Sequence, residues 1–447
     1  MNQKSLISLT AAVAIAAAGL SASAESRPLH YRPTPDGTGA VTIDGTRKFI
    51  RGLYGAHTGF RIDCSDTPEF GVYLPRMGGN LLLTLPAGSC TATYTPGRMD
   101  YEQGGVTVEA QVLRSSDAAL WRITNTTKQK QTVGVRFGGV AEKKFSREGD
   151  LGVDKPDCFD LKPEYCKGNI YNVGKDGVVT VEYGVKERKT ISLVLPTDAH
   201  TLTDLPSYEG TITLKPGQTR YLALFPAGET PVTGKKLAAL FDKAEAERAG
   251  LASALTINTP DPWLNPIGGA LSVAADGIWS GEAWLHGSIG WRTPHLGWRG
   301  AYAGDALGLH DRALTHFRTY AANQITDIPP VFEHPRQDSV LNLARSEKRW
   351  GTPMYSNGYI CRRPGKKDEM SHYDMNLVYA DALLRHFRHT ADTAAMRELF
   401  PVVKLHLDWE KRNFDPDGDH LYDAYCCIWA SDALYYSGGS VTHSSAY

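Results

Sequence analysis

The sequence predicts a multidomain β + α protein: an N-terminal antiparallel β-sandwich, a linker helix, and then a helical region. Three observations predict it. From residue 46 to about 230, apolar and polar residues alternate with a period of two, cut at short intervals by turn residues. From 235 to 254 the composition shifts to Ala, Lys and Glu, with Leu237, Leu240, Phe241 and Ala244 at helical spacing. Beyond Trp263 the apolar residues recur in longer helical stretches, separated by long loops.

Residues 1–24 read as a secretory signal peptide. Lys4 supplies the positive start, Leu6 to Leu20 is apolar and Ala-rich, and Ala22-Ser23-Ala24 offers a small-residue cleavage site before Glu25. The apolar run is short for a membrane span, so none is expected once the signal is removed; a signal-anchor is the alternative. The expected location is periplasmic or secreted. Residues 25–45, rich in Pro, Gly and Thr, read as an extended lead-in.

The β-sandwich domain is predicted over 46–233. Gly105 to Ala110, Ala119 to Ile123, Thr132 to Phe137, Val178 to Glu182, Thr190 to Leu195, Thr211 to Leu214 and Arg220 to Phe225 all read as strands. Many short strands in series suit an antiparallel sandwich. Acid/base clusters are sparse here, so a structural or accessory role is expected. Residues 234–258 form the linker helix. The third region, 259–447, opens on Thr259-Pro260-Asp261-Pro262, a capped helix start. Helices are predicted at 263–279, 298–325, 373–390 and 399–413, with Pro401 opening or kinking the last.

Composition excludes some functions. The formal net charge is −1 with no basic or acidic block, which argues against nucleic acid as a partner. An acidic sugar, held by a few local cations, stays open. Seven Cys leave at least one thiol unpaired. Cys158 and Cys166 flank a Pro-containing loop and are the best disulfide candidates, with free thiols the alternative; Cys426 and Cys427 read as buried thiols. No CxxC or HExxH motif appears, so neither a structural zinc nor another cofactor is expected. Asp415-x-Asp417-x-Asp419-x3-Asp423 has the oxygen spacing of a calcium loop. His420 stands where such a loop needs Gly, and Cys426 where it needs Glu, so a tight Asp-Gly turn is the preferred reading over calcium.

The densest chemistry lies in Phe414 to Tyr447, where Asp415, Asp417, Asp419, Asp423 and Asp432 stand among Tyr422, Trp429, Tyr435 and Tyr436. Aromatic rings stack on the apolar faces of sugars, and carboxylic acids protonate glycosidic oxygens. With Thr259 to Trp279, Trp284-Leu285-His286-Gly287 to Trp291-Arg292, and Gly297 to Asp305, this segment resembles the secreted bacterial six-hairpin glycosidases. In that family a β-sandwich precedes an (α/α)6 toroid. Within it the sequence resembles the group of gut-Bacteroidetes pectin-degrading enzymes that includes a β-L-arabinofuranosidase family acting on rhamnogalacturonan-II.

The resemblance implies a glycoside hydrolase with a carbohydrate substrate and an inverting pair of carboxylates. It also implies that the toroid is truncated here. A complete toroid needs more helices than are legible, so the native chain is expected to continue past Tyr447 and to carry the base there. The candidate acid is Asp432, walled by Trp429 and Tyr435; a helix N-cap is its alternative role. Asp423, Glu369 and Glu282 are further catalytic candidates, each open to a reading as a turn or solvated carboxylate. Trp284, Trp291, Trp350 and Trp429 are stacking candidates. His286, Arg292, Arg299 and Asp305 are candidate sugar contacts, with Asp305 also placed to pair with Arg299, and His295 is a further cation for an acidic sugar. Two other functions remain open: a polysaccharide lyase using Tyr302, His286 and Asn357, or a non-catalytic carbohydrate-binding fragment. Mass spectrometry of the exported protein is expected to find Glu25 at its N-terminus. A different start, or a folded cytoplasmic pool, contradicts the signal assignment.

Overall fold

The computed structural model describes residues 31–34, 39–43, 48, 51–54, 60–74, 77–140, 159–184, 188–287, 293–297, 300–332, 348–370, 374–415 and 418–420. The chain divides into two compact units, Met1–Gly277 and Ile278–Tyr447. Among the described residues no helix is long and apolar enough to cross a membrane.

The first unit holds strands β1 (Tyr31–Pro33), β2 (Val41–Ile43), β3 (Arg51–Tyr54), β4 (Arg61–Cys64), β5 (Glu69–Leu74), β6 (Met77–Thr84), β7 (Thr91–Thr95), β8 (Arg98–Gln103) and β9 (Val106–Leu113). It continues with β10 (Ala118–Asn125), β11 (Gln131–Val140), β12 (Ile170–Val173), β13 (Val178–Tyr183), β14 (Lys189–Val194), β15 (Ala199–Leu202), β16 (Ser207–Leu214) and β17 (Thr219–Phe225). One sheet has ten strands in the order β1-β2-β7-β8-β9-β10-β17-β14-β13-β12; the other has seven, β15-β16-β11-β6-β5-β4-β3. Strands β1 and β2 lie inside the expected lead-in. Val41 to Ile43 pair with Ala92 to Tyr94 of β7, so the ladder begins earlier than the alternating pattern suggested.

The sheets share one core. Phe70 of the seven-stranded sheet meets Trp121 and Tyr101 of the other edge-on, at 5.4 and 5.7 Å between ring centres. The Tyr101 hydroxyl donates to the Ser65 carbonyl at 2.7 Å, so this buried phenol does not sit unbonded in the core. Successive strand residues face opposite ways. In β10, Ala119, Trp121 and Ile123 therefore enter the shared core while Ala118 and Leu120 face outward.

That outward face is covered too. Helix α1 (Pro163–Cys166) is short; helix α2 (Gly234–Ala252) lays Leu237, Phe241 and Ala244 on Leu120, Ala223 and Phe225. Arg98 bonds Glu245 at 2.8 Å, and Glu245 bonds Arg248 at 2.6 Å, pinning α2 to β8. The expected linker helix is thus an integral layer of the first unit. Helix α3 (Ile267–Gly277) belongs to that unit as well, where the sequence placed the start of the helical region. Cys166 is a buried free thiol, so the expected bond to Cys158 does not form. Burial pushes that thiol up to about 11, and its Sγ lies 3.4 Å from where a Cβ on Gly138 would stand.

The second unit contains α4 (Gly300–Ala306), α5 (His310–Ala321), α6 (Asp374–Thr390) and α7 (Thr393–Phe414). The single helix expected over 298–325 is two. Gly308 takes φ +73°, and the Leu309 N–H closes on the Gly304 carbonyl at 2.8 Å. Helix α7 starts before the expected 399, because Asp392 caps it through the N–H groups of Ala394 and Ala395. Pro401 lies inside that helix. Ala313, Phe317, Tyr320, Tyr379, Leu383 and Leu399 interlock as the core of the unit.

His316 is part of that core. Its Nδ1 accepts from the Trp284 N–H and its Nε2 donates to the Leu296 carbonyl, both at 3.1 Å, which fixes one neutral tautomer. Burial pushes this imidazole down to about 4. The unfolded chain takes up a proton at this group near its ordinary 6.5, while the folded protein resists until about 4. Its contribution is complete above pH 6.5 and is lost as the pH falls toward 4. Urea unfolding at pH 7 and pH 4 is expected to show the wild type losing about 3 kcal/mol more than His316→Gln across that interval. Equal losses contradict the assignment.

Candidate active site at the loop end of the helical unit

Between α5 and α6, residues 350–365 are packed, irregular backbone, and buried backbone needs bonding partners. Side-chain amides supply them. Asn376 is fully buried: its Oδ1 accepts from the Ile360 N–H at 2.6 Å, and its Nδ2 donates to the Ile360 carbonyl at 3.3 Å. Asn323 donates to the carbonyls of Cys361 and Arg363 and accepts from the Gly365 N–H. Gln324 donates to the carbonyls of Gly358 and Val402, at 3.3 and 2.9 Å. From α7, the Trp409 indole donates to the Met354 carbonyl at 2.9 Å, and Arg412 donates to the carbonyls of Pro353 and Asn357. Residues 353–365 are thereby tied to the start of α6 and to α7.

This anchoring assembles an aromatic cluster. Tyr355 and Tyr359 meet at 5.2 Å, Trp350 lies edge-on to both at 6.4 Å, and Trp409 packs on Phe414 at 5.6 Å. Polar groups of α7 are buried beside it. His406 bonds Glu410 through Nε2 at 2.8 Å, and its ring stacks on Trp409 at 5.5 Å. Glu410 is fully buried and the Asp415 side chain is closed to solvent. Asp415 Oδ1 accepts the His420 N–H at 3.1 Å, which closes the turn that the acidic spacing suggested. Four buried atoms here have no hydrogen-bond partner among the described residues: His406 Nδ1, Glu410 Oε2, Arg412 Nε and Asn413 Oδ1. Asp415 Oδ2 lies 3.4 Å from His420 Nδ1.

A second loop joins this end. Leu285 bridges Pro294, the His286 N–H donates to the Thr293 carbonyl at 2.8 Å, and the His286 and His295 rings lie 5.2 Å apart. Arg362 Nε donates to the Pro294 carbonyl at 3.0 Å, linking this loop to the longer one. His286, His295, Arg362 and the aromatic cluster therefore belong to one group of loops. Half-buried imidazoles and guanidinium groups of this kind can donate to sugar hydroxyls or carboxylates.

The other expected residues sit as follows. Trp284, expected as an exposed stacking ring, is 1% exposed; it fills the notch left by Gly300 and Gly304, where a Cβ would fall 2.8 and 2.2 Å from its atoms. Glu282 is exposed, and its backbone carbonyl accepts from Thr319. Glu369 pairs with Arg363 at 3.0 Å on a partly solvated surface. Trp350 is half-buried within the aromatic cluster. Asp305 bonds His310 at 2.8 Å and His386 at 3.0 Å, at the turns joining α4 to α5 and α6 to α7, so its partners are histidines within the packed helices. Burial would raise its carboxyl, but the bonds from His386 and His310 outweigh that and hold it below the usual range. Trp291, Arg292, Arg299, Asp423, Trp429 and Asp432 lie outside the described residues.

Sequence reading passed over Glu410, His406 and the three buried amides. A signal existed for the first two. Leu399, Val403, His406 and Glu410 follow helical spacing, so two polar residues continue an apolar stripe. Asn323, Gln324 and Asn376 stand in no pattern that announces a buried amide.

The profile of a family described as "Domain of unknown function (DUF4450)" matches residues 74–204. No curated protein sequence matches the chain. Among solved structures, one described as a kojibiose phosphorylase from human microbiome is similar at TM-score 0.42 and 7% identity, over 85% of this chain and 60% of that one. A family GH92 alpha-mannosidase from Bacteroides thetaiotaomicron, solved with mannoimidazole, is similar at TM-score 0.34 and 10% identity, over 88% of this chain and 65% of that one. The chain thus spans less than two thirds of the length of either structure.

Asn376→Leu keeps the volume and removes both bonds to Ile360. Leaving that N–H and C=O unsatisfied is expected to cost about 2–5 kcal/mol in urea unfolding. A loss below about 1 kcal/mol shows that the loop does not depend on this amide.

Proposed function

We propose that the protein is a glycoside hydrolase acting on plant cell-wall, pectic or related oligosaccharides, with its substrate held at the loop end of the helical unit. The observation that carries this reading is the end of α7. There Glu410 and Asp415 are buried next in the chain to Trp409 and Phe414, which cluster with Trp350, Tyr355 and Tyr359, and His406 Nδ1 and Glu410 Oε2 have no hydrogen-bond partner among the described residues. Buried polar atoms without partners cost stability, and such sites gather where chemistry is done. The chain runs directly from α7 into Phe414 to Tyr447, where Asp423, Trp429 and Asp432 follow.

In this reading Asp432 is the general acid. Trp429 and Tyr435 flank it in the sequence, and an apolar setting keeps a carboxyl's proton available for a leaving oxygen. Rings stack on the sugar, and His286, Arg362 and Arg292 donate to its hydroxyls. The resemblance to six-hairpin glycosidases supports an (α/α)6 toroid and inversion, with a carboxylate separation of about 6.5–9.5 Å to seat the attacking water. The signal-like start supports a periplasmic or secreted location.

The lyase reading requires a tyrosine or histidine base. Burial and the Asp381 carboxylate, which accepts the Tyr302 hydroxyl at 2.6 Å, push that phenol up and hold its proton. Asn357 is committed to the Ile328 N–H at 2.7 Å. Both facts favour hydrolysis.

The test is turnover of pectic oligosaccharides by the native-length wild type and by Asp432→Asn in the same chain. Reducing ends are expected without any rise in ultraviolet absorbance, and the variant is expected to lose about 10²–10⁴-fold in rate. An unsaturated, absorbing product identifies a lyase. Full activity in Asp432→Asn removes Asp432 as the acid, and binding without turnover identifies a non-catalytic sugar-binding protein.

A further inference from the structure

The seven-stranded sheet has a second face, turned away from the shared core. Two rungs cross four strands there. In one, Gly134 of β11 stands between Thr84 of β6 and Thr211 of β16, and Thr211 in turn faces Ala199 of β15. In the next, Arg136 stands between Leu82 and Glu209, and Glu209 faces Thr201. Alternation places these residues opposite Leu81, Leu83, Val133, Val135 and Phe137, all of which point into the core. A groove of about 500 Å³ runs over the two rungs.

Its floor is open because Gly134 has no side chain; a Cβ there would come within 3.2 Å of Thr84. Its polar groups are not consumed by the fold. Among the described residues no hydrogen bond or ion pair holds the Arg136 guanidinium, and its Nε is buried without a partner. Glu209 lies directly across the ladder from Arg136, yet the two do not form a salt bridge. Thr84, Thr201 and Thr211 are exposed along the same stretch.

We propose that this groove binds a neutral oligosaccharide. Threonine hydroxyls both donate and accept, as sugar hydroxyls do, and a guanidinium can donate to two adjacent hydroxyl oxygens while a carboxylate accepts from another. One cation and one carboxylate cancel, so the groove has no reason to prefer a uronate. Leu82 and Ala199 supply apolar contact for the C–H faces of a ring. The volume suits a short oligosaccharide. The inference rests on the first unit alone and is independent of the hydrolase reading.

The test is calorimetric titration of the full chain with neutral arabinan, galactan and xylan oligosaccharides, and with oligogalacturonate. At least one neutral series is expected to bind. Arg136→Gln and the isosteric Thr211→Val are each expected to weaken that binding about tenfold or more. Thr211 is exposed, so the second variant is expected to keep the wild-type melting temperature. The proposal is overturned if no neutral oligosaccharide binds, if both groove variants bind as the wild type does, or if oligogalacturonate alone binds.

Discussion

Irregular backbone can be packed into a protein interior only when its N–H and C=O groups find partners, and the helical unit depends on that constraint. Helices and sheets satisfy their own backbone; residues 350–365, between α5 and α6, do not. Asn323, Gln324 and Asn376 substitute for the missing ladder, and Trp409 and Arg412 complete it from α7. The amides are almost wholly buried, so each has little alternative to bonding this segment. The aromatic cluster follows, because Tyr355 and Tyr359 are carried on backbone held in place this way. A site built on such a segment has the diversity of a loop with much of the rigidity of a helix.

Both units bury polar groups. In the first, Arg61 lies on Asp63 at 2.8 Å and Arg114 on Asp276 at 2.8 Å, while the buried Nε atoms of Arg114, Arg136 and Arg220 have no hydrogen-bond partner among the described residues. At the end of α7, buried polar atoms remain unmatched among the described residues. Helix–helix packing needs no such groups, since apolar residues on the Leu399 and Val403 stripe would fill the same space.

Much of the fold was legible in the sequence because it is written in periodicity. Strands β9, β10, β11, β13, β14, β16 and β17 follow the period-two runs, and α2 follows its apolar stripe. What periodicity does not encode is the partner. Trp284 looked like a loop ring, but its place is set by the notch of Gly300 and Gly304, residues that meet it through tertiary packing. His386 lies 81 residues from Asp305 in the chain, and only the approach of α6 brings the two together. Pro401 suggested a helix start, but the Asp392 cap begins α7 earlier. Cys166 suggested a disulfide from spacing, while burial beside β11 leaves it a thiol. The candidate site was legible as a concentration of aromatic, acidic and imidazole residues in long loops. Its buried members, Glu410 and His406, were hidden as polar residues on an apolar helix stripe.

The central claim is that the loop end of the helical unit holds the sugar. The most direct measurement is a crystal structure of the Asp432→Asn variant soaked with a pectic oligosaccharide that the wild type cleaves. The account predicts sugar density against His286, His295, Arg362 and the Trp350 cluster, with the scissile oxygen facing residue 432. Sugar density confined to other surfaces, with this loop end empty at saturating ligand, contradicts it.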